Sequence, residues 1–123
     1  MLMNTFFTCH DASLSAEALN VRLELNDSNQ IYDGHFPNLP IAPGVCQVQM
    51  VKEVLNTYLK ADFLLKSARD IKFLNFIEPN KLKSLQLDVK WTWKDENTLA
   101  VTALMHNDNV NYLKMRSVFE RQL

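Results

Sequence analysis

The sequence predicts an α+β fold in which a curved antiparallel sheet of about five or six strands wraps around one long central helix. Three observations lead there. Several stretches alternate apolar and polar residues at period two, short polar turns join most of them, and the pattern switches once, early, to helical spacing. The chain's 123 residues match a single domain, 1–123, with one real core.

Taken in order, "FFTCH" near the start can supply a strand. From Ala18 to Asn26, "ALNVRLELN" alternates strictly: Leu19, Val21, Leu23 and Leu25 face one way, Asn20, Arg22 and Glu24 the other. A Gly/Pro segment follows. Val45, Val48, Val51, Leu55, Tyr58 and Leu59 then recur at mostly three- and four-residue spacing, with Gln47, Lys52, Asn56 and Lys60 between them, which predicts one helix from about Gly44 to near Lys60. "DIKFLNFI", Asp70 to Ile77, is β-rich but weakly alternating, as in a strand covered on both faces. "LQLDVKWTW" alternates cleanly and sets Leu85, Leu87, Val89, Trp91 and Trp93 on one side, a stripe read as sheet core. "KDENT" is a turn into "LAVTALMH", and "NDN" a second turn into a strand within "NYLKMRSVF". Strands joined this closely pair antiparallel, and the helix must bury its stripe against one face of the sheet.

Composition excludes several classes. Hydrophobic content of 47% with 22% charge argues against disorder and membrane classes, and no apolar run approaches a membrane span. A net charge of −1 gives no global case for nucleic-acid binding. Cys9 and Cys46 lack metal or redox spacing and read as free buried thiols in a reducing compartment. The N-terminus has no secretory pattern, so a cytoplasmic protein is expected.

Function concentrates in "YDGHFPNLPIAPGV", Tyr32 to Val45. It holds both glycines and three of the four prolines, gathered around His35. Pro37, Pro40 and Pro43 stiffen the loop, and Gly44 opens the helix. A helix start presents unpaired N–H groups and the positive end of the macrodipole, suited to polarising a carbonyl or holding an oxyanion. A glycine there lets that oxygen come close.

"GHFPNLPIAPGV" resembles the GHFPGxPxxPGV signature of the 3-hydroxyacyl-acyl-carrier-protein dehydratases of the FabZ/FabA type, which have the hotdog fold. The match covers Gly34, His35, Phe36, Pro37, Pro40, Pro43, Gly44 and Val45. The helix follows at once, and "IKFLNFIEPN" resembles the family's later strand and Pro-containing turn. The resemblance implies that His35 abstracts the α-proton of a 3-hydroxyacyl thioester and that the Gly44 N–H holds its carbonyl. Phe36, Pro43 and Val45 border the substrate. It further implies a tunnel at a dimer interface, an acid donated by the other subunit's helix, and no cofactor or metal.

The acid departs from the pattern. The family's acidic residue falls fourteen positions after the motif histidine, and that position is Gln49. An amide neither gives nor takes a proton at neutral pH. Where the family commonly shows Glu-x-x-x-Gln, this chain reads "QMVKE", Gln49 to Glu53, so amide and carboxylate have exchanged places. Residues i and i+4 share a helix face about 5 to 6 Å apart, so Glu53 is a candidate replacement, directly or through a water held by Gln49. The opposing reading makes Glu53 a solvated carboxylate beside Lys52. Asn38 stands where the family has glycine and tolerates the same backbone.

Three functions compete on these residues. The first is a dehydratase acting on acyl thioesters of a carrier protein or CoA. The second is a non-catalytic or half-site subunit, paired with a competent hotdog relative rather than with its own copy. The third is a hotdog thioesterase. A carrier protein is acidic, and Lys66, Arg69, Lys72, Lys81 and Lys83 are candidates for a basic patch, with solvated charge as the alternative. His10 and His106 have no partner that the sequence identifies and read as structural or exposed.

Overall fold

The computed structural model describes residues 1–34 and 40–123. Its strands are β1 (Phe7–Leu14), β2 (Ala18–Leu25), β3 (Phe63–Phe73), β4 (Ser84–Trp93), β5 (Thr98–Asn107) and β6 (Val110–Arg121), with a 3-10 turn (Gln30–Gly34) and then one α-helix among the described residues, α1 (Gly44–Leu59), between β2 and β3. All neighbours pair antiparallel in the order β1-β2-β4-β5-β6-β3. Among the described residues no helix is long and apolar enough to cross a membrane.

Register explains why the alternating stretches became strands. Leu19 pairs with Val89, Val89 with Ala103 and Ala103 with Met115, while Val21, Leu87, Met105 and Leu113 form the next row. Each row is buried across four strands. A slip of one residue would turn a whole row outward. Met50, Val51, Val54 and Leu55 of α1 complete this core, each contributing roughly 1.5–3 kcal/mol by leaving water. The helix ends where Lys60 turns left-handed and its N–H returns to Asn56 O, and the Asn56 side chain accepts Phe63 N at 2.8 Å, tying the helix end to β3.

Four expectations are corrected. The third strand lies at Phe63–Phe73, so Leu74–Ile77 fall beyond it. It is a largely exposed edge strand with register shifts between Leu65 and Ser67 and between Ala68 and Asp70, not a strand covered on both faces. Those shifts erase the period-two signal. Trp91 is core, but Trp93 is exposed and packs against Phe63, with the Arg121 guanidinium 4.9 Å over its ring. Val45 is 78% exposed, because its position on the helix faces away from the core, whereas Gln47 of the same turn, set among the polar positions, is buried.

Candidate active site

The approach to α1 is anchored from three sides. Ala42 N donates to Ile77 O at 2.8 Å, and the Gln47 side-chain Nε2 donates to Ala42 O at 3.1 Å. Pro43 is extended, and its carbonyl accepts Cys46 N at 3.0 Å and Gln47 N at 3.1 Å. The N–H groups of Gly44 and Val45 precede any intrahelical acceptor. Pro43 supplies no side-chain cap and no acidic residue stands in the first turn, so the chain's own helix side chains leave the positive helix end unneutralised.

A cavity of about 530 Å³ opens beside this turn, between Ile41–Gly44 and the chain from Phe73 to Phe76. Its walls are largely apolar, and Gln47 and Asn75 are the polar side chains on them. That size suits a small organic ligand. A Cβ built on Gly44 would stand 2.7 Å from the tip of the Phe73 ring, so glycine here accommodates an aromatic ring pressed on the helix start. Phe73 is 51% exposed at the end of the edge strand, which leaves that ring free to turn outward.

Gln49 and Glu53 look elsewhere. At 3.6 residues per turn they sit about 140° and about 180° around the helix from Gly44. Gln49 Nε2 donates to Glu53 Oε2 at 2.9 Å, so the structure does bring the pair together. Glu53 is only 3% exposed, which rules out the solvated carboxylate. Its oxygens also accept Leu2 N, at 2.9 Å to each, and Met3 N at 2.8 Å. The carboxylate thus ties the N-terminal segment to the middle of α1.

Of the candidate site residues, Pro43 and Gly44 line the cavity, and Gln49 and Glu53 form a separate hydrogen-bonded pair. Val45 is exposed and is not among the cavity's walls. His35 and Phe36 lie outside the described residues, as do Pro37 and Asn38. Phe73 and Gln47 escaped the sequence reading. A polar residue three positions after the motif glycine, on the same helix face, was the signal for Gln47.

Charge is more neutralised than the proposed patch requires. Lys66 pairs with Glu120 at 3.2 Å, Lys81 with Glu78 at 3.5 Å and Lys83 with Asp27 at 2.7 Å, and the Lys83 ammonium holds the Asp27 carboxyl below its ordinary value. Among the described residues Arg69 and Lys72 have no ion-pair partner. His106 Nε2 meets Asp88 Oδ2 at 2.6 Å, and His10 meets Thr8 at 2.8 Å, cross-strand and same-strand partners invisible without register. Both cysteines are free thiols. Burial raises each above its ordinary value, and for Cys9 the Glu53 charge adds to the rise while a hydrogen bond with Tyr58 opposes it.

With this geometry stands a family match: the sequence model described as ApeI dehydratase, of the ApeI-like family, matches residues 11–113. The chain belongs to the ApeI-like dehydratase family. No curated protein matches it. Among solved structures it is similar to the dehydratase heterocomplex ApeI:P from Xenorhabdus doucetiae, with 20% identity over 94% of this chain and 98% of that one and a TM-score of 0.75. It is also similar to a hypothetical thioesterase from Streptococcus pneumoniae with coenzyme A, at 12% identity, 94% and 85% coverage and TM-score 0.67. A Streptococcus mutans protein bound to acetyl CoA aligns at 16% identity, 94% and 88% coverage and TM-score 0.67. At these identities the structural likenesses establish the fold. The six-stranded sheet around one helix is the hotdog fold.

Proposed function

We propose that this protein acts on 3-hydroxyacyl thioesters as one half of a composite dehydratase. In that reading, which follows the FabZ/FabA-type signature, His35 removes the α-proton and the Gly44 N–H holds the thioester carbonyl. The acid that protonates the departing hydroxyl comes from a partner subunit. The acyl group arrives on a carrier protein or CoA, with Pro43 bordering it beside the helix start and Phe36 and Val45 assigned there by the signature.

The division of α1 carries this reading. A side chain about half a turn around from Gly44 cannot serve its own cavity and suits a neighbour's. What this chain would offer a neighbour is Gln49, which has no proton to give, and Glu53, whose oxygens are already occupied as acceptors for Leu2, Met3 and Gln49. A pair of identical chains would then lack the acid at both sites. Association with a related hotdog subunit would restore it at one. That a dehydratase heterocomplex is among the similar structures supports this choice over a homodimer.

A second reading keeps Glu53 as the acid, because Gln49 and Glu53 are joined by one hydrogen bond. It requires Leu2 and Met3 to release the carboxylate.

The test is hydration of enoyl and dehydration of 3-hydroxyacyl thioesters, on CoA and on carrier protein, for the chain alone and mixed with dehydratase-like relatives from its source. The composite reading expects activity on mixing that His35→Ala in this chain abolishes. A general acid is worth about 10²–10⁴ in rate, and the chain alone should be slower by that order. Turnover by the chain alone that Glu53→Gln removes would favour the second reading. Activity insensitive to His35→Ala, or free-thiol release in place of dehydration, would overturn both.

A further inference from the structure

Gln47 is a polar side chain held in an apolar setting, 3% exposed. The Ala42 carbonyl can only accept, so Nε2 faces it and the orientation of the amide is fixed. Oε1 is left buried, with no hydrogen-bond partner among the described residues. Buried acceptors are nearly always satisfied, and one that is not calls for a donor from elsewhere. Gln47 lines the cavity that Gly44, Pro43 and Phe73 border, so an incoming ligand is a source of that donor.

We infer that Gln47 Oε1 accepts the hydrogen bond of the substrate's 3-hydroxyl group and thereby selects 3-hydroxyacyl chains over chains lacking it. The inference rests on the dehydratase reading, in which the thioester carbonyl sits at the Gly44 N–H. Gln47 is three residues on from Gly44, a helix neighbour at about 5–6 Å. In a 3-hydroxyacyl thioester the hydroxyl oxygen lies roughly 3–4 Å from the carbonyl carbon, and a hydrogen bond of about 2.8 Å beyond it spans the remaining gap to a side chain one turn on; it is the donor carried by the acyl portion. Holding the hydroxyl hydrogen leaves the oxygen lone pairs free for a partner's acid. Phe73, pressed on Gly44, is the side chain that must turn aside for the ligand to enter. Oε1 is then no longer enclosed without a donor.

Binding affinities by calorimetry for a 3-hydroxyacyl-CoA, the saturated acyl-CoA of equal length and its 3-methoxy counterpart test the assignment. Wild type is expected to prefer the hydroxyacyl ligand by roughly tenfold, the size of one neutral hydrogen bond, and to treat the methoxy compound like the saturated one. Gln47→Met, close in volume, should erase the preference, while loss of the Nε2–Ala42 anchor acts on all three ligands alike. Equal affinity of wild type for all three ligands overturns the inference without needing the variant to fold. Equal loss for all ligands in Gln47→Met overturns it too, and marks Gln47 as a packing or arm-binding residue. Wild type that binds no acyl group on CoA or on carrier protein, alone or mixed with a dehydratase-like relative, fails the dehydratase reading and the inference with it. Binding without discrimination fails the inference alone.

Discussion

The face of α1 that carries Gly44 and Gln47 looks onto an apolar cavity, whereas the face that carries Gln49 and Glu53 is tied to Leu2 and Met3 by hydrogen bonds. On the first, a helix start, a buried amide oxygen and an aromatic ring stand unsatisfied or displaceable. On the second, the carboxylate is surrounded by donors. One helix thus puts two polar side chains to different uses: Gln47 keeps an acceptor without a donor among the described residues beside the cavity, while Glu53 is an acceptor that holds Leu2 and Met3 in place.

The largest expected effect breaks the tied face. Glu53→Ala removes the acceptor for three backbone or amide donors and should lower unfolding stability by about 2–4 kcal/mol in chemical denaturation. Glu53→Gln should cost less, about 1–2 kcal/mol, and should speed hydrogen exchange at Leu2 and Met3 with little effect on the central sheet. Loss of under about 0.5 kcal/mol in Glu53→Ala would mean that the tie contributes nothing to the fold.

The cavity face should respond more mildly and with a reversible sign. Gly44→Ala forces the Phe73 ring aside and should cost about 1–2 kcal/mol. In a Phe73→Ala background the same change should be neutral or stabilising by up to about 1 kcal/mol, since alanine is the better helix former. A double-mutant cycle reads the coupling directly. Additive effects would show that the ring does not constrain Gly44.

How far these two faces were legible in the sequence follows from the kind of signal each leaves. The rows through Leu19, Val89, Ala103 and Met115 were readable because a half-buried strand repeats at period two. β3 was half missed, since an exposed edge strand has no buried face to impose that repeat and its register shifts scramble what remains. The Gly44 end was legible from glycines and prolines whose backbone demands are local. That Gln49 and Glu53 point away from that end follows from helix geometry alone. The tie to Leu2 and Met3 does not, because it joins residues about fifty positions apart through backbone N–H groups that every residue has. Phe73 over Gly44 is likewise a tertiary contact, between a strand and a helix start with no sequence period in common.

The smallest effect sharpens the comparison through the two thiols. Burial raises both Cys9 and Cys46 above their ordinary 9.0, so each is held as the neutral thiol in the folded protein. A group whose folded value lies above its unfolded one stabilises fully below the unfolded value and loses that contribution as pH rises through the folded one. Thermal stability should therefore decline above about pH 9, helped by Tyr58, raised by burial, and by Tyr32, raised by burial. Only Cys9 feels the Glu53 charge. Glu53→Gln should shift the midpoint of Cys9 alkylation to lower pH, leaving the midpoint of Cys46 in place, as read site by site by mass spectrometry. The plateau rate at high pH reports access and the midpoint reports charge, so a loosened N-terminal segment cannot imitate the result. Equal shifts at both cysteines, or none at Cys9, would place the Glu53 charge outside the reach of the Cys9 thiol and would undo the electrostatic distinction between the two faces.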